Sequence, residues 1–191
     1  FTKDRHVSVV VIGPGLPESA DETIRTLIMG LKLPMIVDAE AFSALSRHLE
    51  ILQSAASTNG DIVLTPHPGE YTRLVVGTRF SKQADESAFA GEYGVTLVCK
   101  HDRTLVLSAA GETYENTTGN PGLATAGSGD VLSGIIAGII AQKIKPYEAA
   151  CMGVYLHGLA GDMAASAKTE PGMIASDIVE AIPTALKRLD V

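Results

Sequence analysis

Apolar positions along the chain alternate between two periods. Residues Val7 to Ile12 form a nearly unbroken β-branched run, which suits a strand covered on both faces, as in a parallel sheet. Gly13-Pro14-Gly15-Leu16-Pro17 stops it. Ser19 and Glu22 have capping-box spacing, and Ile24, Leu27, Ile28 and Leu31 follow at helical spacing. Met35 to Val37 reads as a second strand ending in Asp38, and Phe42, Leu45, Leu49 and Leu52 predict one helix from Ala41 to Leu52. Turn chemistry at 58–61 leads to a third strand, Ile62 to Leu64, and then to a loop from Thr65 to Glu70. A helical stretch over 81–93 precedes a fourth strand, Val95 to Cys99, which ends at Lys100.

The rhythm is β-α-β-α, the pattern of a parallel sheet with helices on its faces. It changes after Lys100, where 104–107 and 113–116 flank Ala110-Gly111 as an antiparallel hairpin. Three helices follow, over 130–142, 147–166 and 175–189, with Pro146 near one start and Pro171-Gly172 as a break. No internal repeat or low-complexity linker interrupts the order.

Between the hairpin and the first of those helices lies Gly119-Asn120-Pro121-Gly122-Leu123-Ala124-Thr125-Ala126-Gly127-Ser128-Gly129-Asp130. Its glycines allow tight turns and close ligand approach. The first N–H groups of a helix have no partner within it and sit at the positive end of its dipole, so this loop offers donors to an anion such as phosphate. Asp130 either caps that helix or meets a substrate beside the phosphate. In parallel sheets ligands collect beyond the carboxyl ends of the strands, so Gly13 and Gly15, Asp38, His67 and Glu70, and Lys100 form a set with this loop. Each also has a plainer reading. Asp38 suits a helix cap, the glycines a tight turn, His67 and Glu70 an ordinary polar loop, and Lys100 a surface position. His157, among apolar residues of a helix, reads as a core histidine, and His48 and His101 carry no specific signal.

Composition narrows the classes. A chain of 191 residues with 46% hydrophobic content supports one domain over 1–191 with a substantial core. The formal net charge of −7, without a run of Lys or Arg, argues against a nucleic-acid surface. Cys99 and Cys151 lack Cys-x-x-Cys spacing or an evident histidine partner and read as buried thiols in a reducing compartment. The apolar run around 135–141 is far below the ~20 residues of a membrane helix. Residues 1–12 lack a signal-peptide layout. The expectation is a cytoplasmic protein with neither membrane nor nucleic-acid partners.

Four blocks carry a family resemblance: Val-Ile-Gly-Pro-Gly-Leu at 11–16, Val-Asp-Ala-Glu-Ala-Phe at 37–42, Leu-Thr-Pro-His-Pro-Gly-Glu at 64–70, and Gly-Asn-Pro-Gly-Leu-Ala-Thr-Ala-Gly-Ser-Gly-Asp-Val-Leu-Ser-Gly at 119–134. In order and spacing the chain resembles the ADP- or ATP-dependent NAD(P)H-hydrate dehydratases of the ribokinase-like superfamily. The resemblance implies a three-layer α/β/α fold with a mostly parallel central sheet. It implies a hydro-lyase that repairs the hydrated S-epimer of NADH or NADPH, with ADP or ATP phosphorylating the ring hydroxyl before phosphate leaves. The His-Pro-Gly-Glu form is similar to that of bacterial members and favours ADP. Carried over by motif, Asp130 is the general base. Substrate contacts fall on Gly13, Gly15, His67, Pro68, Gly69, Glu70 and Asp130. Nucleotide contacts fall on Lys100, His101, Asp102, Arg103, Thr104, Asn120, Gly127, Ser128 and Gly129, and Glu70 holds a hydrated Mg2+. The family commonly forms homo-oligomers.

Three departures stand out. Pro17 and His101 occupy positions where the family usually has glycine. Members also carry a segment ahead of the Gly-Pro-Gly strand, with an opening helix, strands and one substrate contact. Here that strand begins at residue 7, so a fragment or a short form lacking that segment is expected. Two rivals remain: a ribokinase-like kinase of a small hydroxylated metabolite or vitamin precursor, and a non-catalytic nucleotide-binding module.

Overall fold

The structure, a computed structural model, describes residues 7–59, 61–82 and 85–189. Six strands form one sheet in sequential order: β1 (Val10–Ile12), β2 (Met35–Val37), β3 (Ile62–Leu64), β4 (Thr96–Cys99), β5 (Leu105–Leu107) and β6 (Thr113–Glu115). β1 to β4 are parallel, and β5 and β6 add antiparallel pairs at the far side. Residues in register include Ile12 with Val37, Val37 with Leu64, and Leu64 with Leu97, so the four parallel strands end close together.

Successive residues of a strand point to opposite faces, and the core divides accordingly. Met35, Val37, Ile62, Leu64, Leu97 and Cys99 pack with α1 (Asp21–Gly30), α2 (Ala41–Leu45), α3 (Glu50–Asn59), α4 (Pro68–Leu74) and α5 (Glu86–Tyr93). Ile36, Val63, Val98 and Val106 face the other way, onto α6 (Ser128–Ile140) and α7 (Pro146–Lys168). Burial on both faces explains why β2, β3 and β4 have no polar alternation. α8 (Ala175–Arg188) packs on α7 through Ile178 and Ala185. The result is three layers, α/β/α.

Several elements depart from expectation. β1 is only Val10–Ile12, and Val11 is 38% exposed because the strand lies at the sheet's edge among the described residues. The Ser19–Glu22 box does not form: a 3-10 turn over Glu18–Ala20 precedes α1, whose N-cap is Ala20 without a side-chain bond. The helix expected over 41–52 is two helices, α2 and α3, separated at residues 46–49. Leu49 and Leu52 stay buried across the break, and apolar spacing records burial rather than backbone continuity. α3 runs into the expected turn at 58–61, of which Gly60 lies outside the described residues. The 81–93 stretch becomes a 3-10 turn, Arg79–Ser81, and α5, with 83–84 outside the described residues.

The loop expected from Thr65 to Glu70 holds only to His67, and α4 begins at Pro68. Pro68 stands at the first helical turn, where its missing N–H costs nothing. Tyr71 and Leu74 anchor this short helix in the core, with Tyr71 edge-on to Phe89 at 5.5 Å between ring centres. That anchorage fixes the position of His67.

Candidate functional site: the strand ends and the start of α6

Four loops converge where the parallel strands end. After β1, Gly13 has φ +127, and a Cβ there would lie 1.7 Å from the Asp38 carbonyl oxygen. Glycine is thus demanded by backbone packing of one strand end on the next, which supports the plain tight-turn reading. Gly15 is exposed with φ +70.

Asp38 follows β2 and is 1% exposed. It does not cap α2, whose N-cap is Glu40. One carboxylate oxygen accepts from the Ala39 N–H at 2.9 Å and from Lys100 Nζ at 3.0 Å, and the other from Ser133 Oγ at 2.8 Å. Lys100 follows β4, and its ammonium also lies 3.9 Å from Glu70 Oε2. The ammonium therefore joins the ends of β2 and β4 to α4, while Ser133 brings α6 to the same carboxylate. Lys100 is not a free surface lysine.

His67 is the N-cap of α4. Its Nδ1 accepts from the Gly69 and Glu70 N–H groups at 3.0 and 3.3 Å, and the His67 N–H donates to Glu70 Oε2 at 2.8 Å. This reciprocal capping box satisfies donors that the helix cannot. An Nδ1 that accepts leaves Nε2 as the protonated nitrogen. Glu70 is thereby committed to holding the loop's shape.

α6 begins differently. Its N-cap, Gly127, is left-handed at φ +82 and supplies no side-chain bond. Among the described residues the N–H groups of Gly129 and Asp130 meet no acceptor. A Cβ on Gly129 would come within 3.2 Å of Lys100 Nζ, so the helix start and the ammonium stand side by side. Uncapped donors, a positive dipole end and a lysine make a cradle for a phosphate. Asp130 is the third residue of the helix, exposed, with no ion pair among the described residues.

Beside the cradle opens a cavity of about 1230 Å³, large enough for a nucleotide. Lys100, His101, Asp102, Arg103, Thr104, Asn120, Ser128 and Gly129 all line it, and Gly127 lies just behind as the helix cap. Of the expected substrate contacts only His67 and Pro68 line it; Gly13, Gly15, Gly69, Glu70 and Asp130 do not. Some wall groups are already engaged: Arg103 pairs with Glu115 at 2.7 Å, and His101 Nε2 lies 2.9 Å from Glu86 Oε1.

Residues outside the expected site set support the walls. His157, on α7, is 8% exposed and lies 3.2 Å from Ser128 Oγ through Nε2. Burial, with a smaller push from Lys100, takes its pKa down to about 4, so the imidazole is neutral at pH 7. It is a core histidine, as expected, but one that orients Ser128 at the cavity floor. Asp162, also on α7, accepts from the Gly119 N–H at 3.0 Å and from Asn120 Nδ2 at 2.9 Å. Thr118 Oγ1 donates to the Tyr155 carbonyl at 2.8 Å, and a Cβ on Gly158 would lie 2.2 Å from that hydroxyl. Gly158 and Asp162 share a face at i, i+4, and this spacing in an apolar helix was the available signal. Cys99 is buried as expected, whereas Cys151 is only half-buried.

A family model described as NAD(P)H-hydrate dehydratase matches residues 1–184. The chain belongs to that family. The bifunctional NAD(P)H-hydrate repair enzyme of Moorella thermoacetica is 42% identical over 96% of this chain and 35% of its own length. The ADP-dependent (S)-NAD(P)H-hydrate dehydratase of Neisseria meningitidis is 40% identical over 94% and 62%. The chain thus spans about a third of one curated relative and under two thirds of the other. Among solved structures, a ribokinase-like superfamily protein from Enterococcus faecalis matches with TM-score 0.78 and 35% identity, over 95% of this chain and 63% of that one. The ADP/ATP-dependent NAD(P)H-hydrate dehydratase of Bacillus subtilis, co-crystallised with ATP/Mg2+, matches with TM-score 0.79 and 28% identity, over 94% and 64%. The fold of this dehydratase-family chain is ribokinase-like.

Proposed function

We propose that this dehydratase-family chain takes part in returning the hydrated S-epimer of NADH or NADPH to the reduced cofactor, with ADP, or ATP, as phosphoryl donor. The observation that carries the reading is the uncapped start of α6, where, among the described residues, N–H groups beside Lys100 meet no acceptor and the carboxylate of Asp130, the third residue, has no ion pair.

Asp130 removes the proton of the ring hydroxyl, whose oxygen attacks the terminal phosphorus of the donor. The bond from phosphorus to the donor's bridging oxygen breaks. The N–H groups at the start of α6, those of Gly129 and Asp130, and the Lys100 ammonium stabilise charge on the transferred group. Phosphate then leaves with the C–O bonding pair, a proton is lost from the adjacent ring carbon, and the double bond returns. Lys100 to Thr104, Asn120 and the α6 start hold the nucleotide. The loops at Gly13–Gly15 and His67–Glu70 hold the hydrated ring.

Mg2+ bound with the nucleotide supplies further charge neutralisation and prefers oxygen donors and retained waters. Glu70 is poorly placed for such a role: Oε2 accepts from the His67 N–H and lies 3.9 Å from the Lys100 ammonium, Oε1 lies 3.5 Å from His67 Nε2, and the residue does not line the cavity. No helix among the described residues is long and apolar enough to cross a membrane. The same reading has the chain act in the cytoplasm on a small molecule, self-associate as its family does, and, with net charge −7, avoid nucleic acid.

Asp130→Asn should keep the fold and ADP binding while lowering conversion of hydrated NADH by about 10²–10⁴-fold, followed as the return of reduced-nicotinamide absorbance. Undiminished turnover in that variant sinks the assigned base. A stable phosphate ester in place of NADH would instead identify a kinase. ADP binding without any turnover, even beside a full-length relative, would identify a binding module.

A further inference from the structure

At the cavity rim lies a group of three side chains, of which His101 alone also lines the cavity. β4 ends at Cys99, 1% exposed; Glu86 opens α5; and His101 stands two residues beyond Cys99. The Cys99 sulfur, a Glu86 carboxylate oxygen and a His101 ring nitrogen all lie within 4.8 Å of one another. The closest pair, His101 Nε2 and Glu86 Oε1, is 2.9 Å apart. The two polar side chains are 37% and 15% exposed, so the group spans the boundary between core and solvent.

We propose that Glu86, Cys99 and His101 form a binding site for a thiophilic divalent cation of the zinc type. The donor set decides the class of ion. Sulfur and imidazole beside one carboxylate suit zinc and its soft neighbours, whereas Mg2+ and Ca2+ prefer oxygen alone, so this site is separate from the nucleotide's Mg2+. Distances agree. With metal–ligand bonds of about 2.0–2.3 Å, tetrahedral donors stand roughly 3.3–3.7 Å apart. Reaching that spacing requires the Glu86–His101 pair to open slightly and both to settle on a sulfur fixed by the core.

Three protein ligands leave the fourth position to water on the exposed side. The ion replaces the proton shared between Nε2 and Oε1 and expels the thiol proton, so binding releases protons and weakens as pH falls. Occupied, the site ties the start of α5 to the end of β4, at the root of the Lys100–Thr104 segment that lines the cavity.

The test uses the full chain with Zn2+ in competition with a chromophoric chelator, and Co2+ as a spectroscopic substitute. One ion should bind per chain, with proton release and a thiolate-to-cobalt charge-transfer band. His101→Gly and Glu86→Gln, each shown folded by circular dichroism, should weaken binding by about a hundredfold or more. Cys99→Ala should lose the band. Should that variant fail to fold, the band in the native chain and the His101→Gly affinity still decide. Substoichiometric binding, a cobalt spectrum without the thiolate band, or unchanged affinity in His101→Gly would overturn the site. These readouts need no turnover, so they stand or fall independently of the dehydratase reading.

Discussion

Lys100 and His157 show how much a single side chain in this fold owes to its surroundings. Lys100 sits 3.0 Å from Asp38 and 3.9 Å from Glu70, and removing one partner of such a buried pair typically costs about 3–5 kcal/mol. Its role in binding and its role in holding the strand ends are therefore inseparable by simple deletion. His157 offers a cleaner handle. Its folded pKa, about 4, lies below the unfolded value of 6.5, so between these values the unfolded chain binds more protons. Stability from this group is fully present above about pH 6.5 and falls as pH drops toward 4, by on the order of 3 kcal/mol in all. Denaturant unfolding measured across that window should show the slope, and His157→Gln should flatten it. Equal slopes in both proteins would remove the assignment. Sequence placed His157 in the core from its apolar neighbours, but its bond to Ser128 joins residues 29 apart and has no local signature.

At the scale of elements, the loop from Gly119 to Gly127 is shaped less by its own glycines than by α7. Asn116 Nδ2 donates to the Val154 carbonyl at 3.2 Å, Thr118 meets Tyr155 and Gly158, and Asp162 takes the Gly119 and Asn120 donors. One face of one helix thus sets the wall of the cavity. Gly158→Ala places a methyl against Thr118 Oγ1 and its backbone carbonyl, at 2.2 and 2.7 Å, and should destabilise by about 3 kcal/mol, the upper end for overpacking. Gly138→Ala in α6, where nothing lies within 4 Å, should stabilise by about 0.5–1 kcal/mol. Urea unfolding of the pair checks the contrast, and similar midpoints would refute the helix-buttress account. α4 carries the complementary lesson. Seven residues with two buried anchors are too few for apolar periodicity to register, and Pro68 and Gly69 mimic a loop while starting a helix.

At the scale of the molecule, the cavity draws its walls from both layers that cover the sheet: His67 and Pro68 from the α4 side, Leu132, Val154 and His157 from α6 and α7. A ligand there bridges units that must separate on unfolding. ADP at a hundredfold excess over its dissociation constant should stabilise the chain by about 2.7 kcal/mol. For a chain of this size that is roughly 5–10 °C in thermal midpoint. A midpoint insensitive to ADP would count against the cavity as the nucleotide site.

Some of this was decided along the chain. The three parallel strands β2, β3 and β4, the hairpin and the three long helices follow from local periodicity, because burial on two faces, on one face or on a stripe each leaves its own spacing. The glycines of the Gly119–Asp130 loop marked a helix start without a side-chain cap, because that is a local feature. Contacts across the fold were decided only by tertiary structure. Asp38 became a hub rather than a cap because Lys100, 62 residues away, and Ser133, 95 away, reach the same carboxylate. Glu86 came beside Cys99 and His101 in the same way, through the packing of α5 against β4. Local sequence records which face of an element is buried, but the partner a polar side chain finds there depends on which other elements the sheet brings alongside.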